Sequence, residues 1–219
     1  MKNLLLTSLI LLTSATVWTG CKKEETKNCS NSFTDNRDGE TYCIITIGTQ
    51  TWMAENLRYN TDSSLLNPLN PSSVNSEYGR LYNFSEANIA CPSGWHLPTD
   101  DEWKTLELQM GMDLNSVNNI YYRGSNEGAQ LKSTNGWDNS SNNGVEGTDS
   151  YGFNALPAGE ANPSYGPYFN LGKYASFWTS TVYDTTGGGW NRTLSYDKAE
   201  IERSYYSQSM RFSCRCIQD

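Results

Sequence analysis

The chain has a single histidine, His96, in 219 residues. A zinc site built on two or more histidines is therefore excluded, and any Ser-His-Asp triad would have to run through His96. Basic residues are scarce as well: 16 Lys and Arg stand against 24 Asp and Glu, a formal charge of −8. An acidic surface repels phosphates, so nucleic acid is not expected as a partner. Beyond residue 20 no stretch is apolar enough to cross a bilayer. Gly187-Gly188-Gly189 has no Lys-Ser/Thr behind it and reads as a hairpin turn, not a phosphate loop. No internal repeat is visible, so the chain reads as one copy of one module. Leu, Ile and Val are sparse, whereas 14 Tyr, 7 Trp and 6 Phe give a core that leans on rings.

One apolar run is present, at the start. Lys2 precedes a leucine-rich stretch, residues 4–12, that is of export-signal length and too short to span a membrane. Gly20-Cys21 suits lipoprotein processing, so residues 1–20 are expected to be a signal peptide and Cys21 the lipidated new N-terminus. Two or three acyl chains, at roughly 0.8 kcal/mol per buried methylene, would hold the protein to the lipid membrane. Lys22-Lys23-Glu24-Glu25 resembles the surface-export signal of lipoproteins in Bacteroidota-type bacteria. An outer-membrane lipoprotein on the cell surface is the location this implies. Residues 21–36 read as a polar linker and 37–219 as one domain, long enough for a real core.

Five cysteines follow Cys21, and an exported chain favours disulfides. The pairing expected is Cys91 with Cys216 and Cys29 with Cys43. Cys214 is then left over. Spacing alone does not fix this connectivity.

Along the chain, Arg37-Asp38-Gly39-Glu40 reads as a turn and Thr41–Ile47 as a strand of β-branched residues, with residues 51–54 pairing back. Residues 60–77 and 133–150 are Asn, Ser and Gly or Pro rich and read as loops. Phe84–Ala90 is a short helix candidate. A clearer helix begins at Thr99, where Glu102 three residues on completes a capping box. Asp100 and Asp101 favour the positive end of its dipole, Trp103, Leu106 and Met110 share a face, and Gly111 suits the stop. Strand candidates follow at 153–156, 175–181, 190–196, 201–206 and 210–217. In the last, Met210, Phe212, Cys214 and Cys216 alternate with Arg211, Ser213 and Arg215, which places both cysteines on one inward face.

Several blocks in fixed order carry a family resemblance. They include Ile47-Gly48-Thr49-Gln50-Thr51-Trp52-Met53-Ala54-Glu55-Asn56-Leu57, Tyr78-Gly79-Arg80-Leu81-Tyr82-Asn83, the run from Cys91 through Trp95-His96-Leu97-Pro98-Thr99 to Trp103, Phe177-Trp178-Thr179-Ser180-Thr181 and Phe212-Ser213-Cys214-Arg215-Cys216. Over residues 37–219 the chain resembles the Fibrobacter succinogenes major paralogous domain, typical of bacterial surface or secreted lipoproteins. More weakly, the block order is similar to the formylglycine-generating-enzyme group. The fold implied is α+β and C-type-lectin-like: a single domain with a small twisted antiparallel sheet, one or two helices and long loops.

Candidate chemistry is thin. His96, between Trp95 and Leu97 and just before a helix, suits structural hydrogen bonding. The formylglycine-generating enzymes carry a reactive cysteine pair ahead of their closing block, whereas here residues 190–210 hold no cysteine and Cys214 and Cys216 lie in the closing block itself. No cofactor is expected, with Ca²⁺ the one candidate: Asp138, Asn139, Asn143 and Asp149 supply oxygens, without the spacing of an EF-hand loop. Plain turn chemistry explains the same residues. A Tyr/Ser/Asn-rich tract contains Trp190, Asn191, Arg192, Tyr196, Asp197, Tyr205 and Tyr206, a palette of rigid rings and small polar groups that suits a binding face. The plainer reading puts Trp190, Leu194 and Tyr205 in the core. The expectation is a lipid-anchored, non-catalytic binding module that recognises a glycan or protein through its late loops. The alternatives are an oxidase of the formylglycine-generating type using Cys214 and Cys216, and a structural envelope protein.

Overall fold

Residues 29–69, 77–138, 143–162, 164, 166–184 and 187–219 are described by the computed structural model. The leader, Cys21, the Lys22-Lys23-Glu24-Glu25 tetrad and Asn139 lie outside them. Strands β1 (Ser32–Thr34), β2 (Thr41–Ile47) and β3 (Gln50–Met53) form an antiparallel meander. β2 is the β-branched run, and Gly48, at φ +60°, turns it into β3. β1 falls in the stretch read as linker; it pairs with β2, and the Cys29–Cys43 disulfide pins it there. A small ladder of β4 (Leu65–Leu66) and β5 (Arg80–Leu81) leads into helix α1 (Phe84–Ala90).

Next come β6 (Trp95–His96), α2 (Asp100–Gln109), β7 (Tyr121–Arg123) and α3 (Glu127–Leu131). The capping box of α2 forms as read: the Thr99 hydroxyl accepts the Glu102 N–H at 3.1 Å, and the Glu102 carboxylate accepts the Thr99 N–H at 2.7 Å. β8 (Glu160–Asn162) and β9 (Gly166–Phe169) pair with each other. The long strands β10 (Tyr174–Val182), β11 (Gly188–Ser195) and β12 (Ile201–Ser207) follow, and β13 (Ile217–Gln218) is the last element.

Two main sheets result. One runs β1-β2-β3-β13-β6, with the C-terminal strand inserted between β3 and β6; the other runs β10-β11-β12-β7. Every ladder in both is antiparallel. With three short helices among the described residues, this is a small α+β domain built mostly of antiparallel sheet. Both faces of β10 are covered. Side chains alternate along a strand, so Phe177 enters one core with Trp52, Trp103 and Phe153, while Trp178 enters another with Tyr82, Phe84 and Phe212. The Trp178 and Phe212 rings lie 4.4 Å apart. Cys91 is bonded to Cys216, which ties the turn before β6 to the chain end, and Cys214 is a free, fully buried thiol in the second core.

Two expected strands are not regular strands. In 153–156 only Ala155 pairs, in one bridge to Lys132, because Asn154 at φ +50° breaks the extended run. In 210–217 isolated bridges (Tyr82 to Phe212, Ala161 to Arg211, Phe177 to Ser213) replace a ladder until β13. Nor does the alternation there separate inside from outside. Ser213 and Arg215 are as buried as the cysteines, since the segment threads between packed layers and Arg215 is held by Asn56 and the carbonyls of Met53 and Phe153.

Candidate functional site

The β10-β11-β12-β7 sheet carries most of the residues singled out above, and strand register divides them between two faces. Arg192 pairs across from Phe177 and Arg203, and Trp190 from Tyr205, so these side chains share the face turned to α2. Asp100 and Glu107, seven apart on α2, meet them. Asp100 accepts from Arg203 at 2.9 and 2.8 Å and from Arg192 at 2.8 Å, with Lys104 at 2.9 Å. Glu107 accepts from Arg192 at 2.6 Å and from Arg123 of β7 at 2.5 Å. Asp100 is held well below the usual carboxylate range by Arg203, Arg192 and Lys104, which outweigh its burial. Burial pulls Arg123 down to about 10. Arg192, expected at a ligand face, is therefore an interior cation with both neighbours satisfied, and it is fully buried.

At the open end of that face stands an aromatic platform. The Tyr183 and Tyr205 rings lie parallel at 3.6 Å, and Trp190 meets them edge-on at 5.0 and 5.8 Å. The Arg203 guanidinium sits 3.6 Å over the Trp190 ring, which couples the platform to the charge network below. Tyr183 and Tyr205 are each 38% exposed. Tyr205 is thus not core, against the plainer reading. Tyr183 was missed in the sequence; its signal was one more ring just past the Trp178-Thr179-Ser180-Thr181 run.

Asn191 and Tyr206 point to the opposite face. Asn191 is fully buried there, which corrects its placement in an exposed tract, while Tyr206 is 38% exposed. Across this face the register aligns Ser176, Thr193, Glu202 and Tyr122 in one row. Glu160 of β8 lies over it, accepting from Ser176 at 2.7 Å. Burial raises both Glu160 and Glu202, and the Glu160 charge raises Glu202 further. Tyr196 and Asp197 are half-buried in the β11–β12 turn, where Asp197 accepts from Ser195 at 2.5 Å.

Family membership follows from how much of this frame one family spans. The model of the Fibrobacter succinogenes major domain matches residues 45–218, from inside β2 to β13. The chain belongs to that family. Neither a curated protein nor a solved structure matches it. In this Fibrobacter succinogenes major domain the Trp95–Trp103 block is scaffold. Both ring nitrogens of His96 are engaged, Nδ1 with Asp219 at 2.7 Å and Nε2 with Glu102 at 2.9 Å, and these carboxylates raise its pKa against its partial burial. Cys216 is bonded to Cys91, and burial pushes the Cys214 thiol well up, so the two do not form a free, exposed pair.

Of the calcium candidates, Asp138, Asn143 and Asp149 are described and Asn139 is not. Asp138 lies 3.9 Å from Lys173, Asp149 accepts from the Asn154 N–H at 2.7 Å, and Asn143 is exposed. No cluster of three or more His, Cys, Asp or Glu suited to a metal occurs among the described residues. Asp149 instead lines a cleft of about 510 Å³ with Glu55, Asn56 and Asn154 beside the Cys29–Cys43 disulfide. Burial raises Asp149.

Proposed function

We propose that the protein is a lipid-anchored, surface-displayed binding module with a C-type-lectin-like fold, and that it recognises a glycan or protein through its late strands and loops. The observation that carries the reading is the platform of Tyr183, Trp190 and Tyr205, held rigid by Arg203 and open to solvent. Rigid rings present large contact area at low entropic cost, and their flat faces suit sugar rings. The lectin-like assignment draws on the pairing of β3 with C-terminal β13 beside the capped helix α2. The anchor draws on Gly20-Cys21 and the short apolar run before it. The non-catalytic reading draws on the disulfide at Cys216 and the burial of Cys214.

A glycan array probed with the full-length protein tests the reading. The expected result is a defined set of bound saccharides, with affinity about tenfold lower in a Tyr183→Ala/Tyr205→Ala variant whose melting is little changed. A blank array, or binding indifferent to both tyrosines, contradicts it.

A further inference from the structure

We propose that the cleft beside the Cys29–Cys43 disulfide is a saccharide site, distinct from the aromatic platform. Its volume of about 510 Å³ lies in the range of small-ligand pockets, about 300–1,000 Å³. One wall is the β2–β3 hairpin and the chain just after it, with Ile45, Glu55 and Asn56; the other is the turn that carries Asp149, Asn154 and Leu156. Buried Arg215 braces both walls. It donates to Asn56 Oδ1 at 2.6 Å on the first, and to the carbonyls of Phe153 and Asn154 on the second. Gly152 sets the turn against the hairpin: a Cβ there would already touch Ile45 at 3.5 Å. A cleft braced in this way is formed before its ligand arrives, which lowers the cost of binding.

The polar groups that line it divide into spent and unspent. Glu55 accepts from the Cys43 N–H at 2.6 Å and from Arg58 at 3.2 Å. Asn56 gives its amide to the Tyr78 carbonyl at 3.1 Å. Asp149 uses one oxygen, for the Asn154 N–H at 2.7 Å, and its other oxygen has no hydrogen-bond partner among the described residues. The bonds that Asn154 and Asn135 make are all through the backbone, which leaves both side-chain amides without a partner among those residues. The open hydrogen bonding of the cleft is therefore one carboxylate oxygen and two amides, beside the apolar side chains of Ile45 and Leu156.

That inventory selects the ligand. An anion is repelled, because carboxylates line the cleft and no lysine or arginine is among its described lining residues. A bare metal lacks its ligand set, since no three His, Cys, Asp or Glu side chains suited to one converge among the described residues. An organic cation would satisfy the carboxylate and leave the amide N–H groups unmatched. A hydroxyl donates and accepts at once, so neighbouring hydroxyls can give to Asp149 and take from Asn154. A sugar ring adds a C–H face that packs on Ile45 and Leu156. No aromatic residue is among the described lining residues, so the cleft and the platform hold carbohydrate by different means.

Ligand-observed NMR titration of the full-length protein tests this, with maltose, cellobiose, lactose and N,N′-diacetylchitobiose as probes and cadaverine as the cationic control. At least one disaccharide is expected to bind saturably, and cadaverine not to bind. Asn154→Gly is the deciding variant. Glycine is at home at the Asn154 φ of +50° and keeps the N–H and carbonyl that Asp149 and Arg215 use, so only the amide is lost. It should weaken the disaccharide about tenfold, as should Asp149→Asn. The Tyr183→Ala/Tyr205→Ala variant should bind that disaccharide unchanged. Binding lost with the two tyrosines but kept in Asn154→Gly supports the platform and overturns this site; the reverse supports this site whatever becomes of the platform. Four silent disaccharides, cadaverine bound in their place, or a disaccharide indifferent to both Asn154→Gly and Asp149→Asn also overturns the proposal.

Discussion

Glu107 has no solvent-exposed surface, yet its two oxygens are both occupied, by Arg192 and Arg123. Removing the charge leaves two buried guanidiniums with less compensation. Glu107→Gln is therefore expected to cost about 3–5 kcal/mol in urea unfolding, the scale of a broken buried pair. Asp100 gives a pH signature. Its folded pKa lies below the ordinary 3.8, so the stability it adds is present above that value and lost as pH falls through the lower, folded pKa. The stability difference between wild type and Asp100→Asn, followed by denaturant titration, should shrink toward zero on acidification. A constant difference would count against the pairing. None of this was legible in the sequence. Helical spacing shows that Asp100 and Glu107 share a face, but periodicity does not name a partner on a strand some ninety residues away, and Asp100 was read only as a charge at the helix start.

At the scale of elements, the helix signals were the most legible. The capping box is a local pattern whose geometry is complete within four residues, and Thr99→Ala should cost about 1 kcal/mol in the same measurement. β2 and β10–β12 were readable because β-branched and aromatic runs make them extended whatever they pack against. The segments 153–156 and 210–217 were not. The first is broken by a positive φ at Asn154, and the second is buried on both sides, so its alternation of apolar and polar residues marks no surface. Burial on both faces of β11 likewise hid the split of the 190–208 tract. Sequence showed a binding palette there, and only register shows that Trp190 and Tyr205 face one way and Asn191 and Tyr206 the other.

For the whole molecule, the chain end is tied in twice. Cys216 is bonded to Cys91 across a separation of 125 residues. His96 bridges Asp219 to Glu102 at the start of α2. Closing so long a loop restricts the unfolded chain, and a Cys91→Ala/Cys216→Ala protein should lose about 2–5 kcal/mol. His96 has a folded pKa above the ordinary 6.5, so its contribution is full below that value and lost as pH rises through the folded pKa. The stability gap between wild type and His96→Gln should accordingly close in alkaline solution, the reverse of Asp100. In this arrangement the cysteines and the histidine build the frame, and the proposed ligand face is the aromatic platform of the late strands. Non-reducing peptide mapping with thiol labelling of the native protein tests that division most directly. The expected result is Cys29 joined to Cys43, Cys91 joined to Cys216, and Cys214 labelled only after unfolding. A disulfide between Cys214 and Cys216, or ready labelling of both in the folded protein, would contradict it.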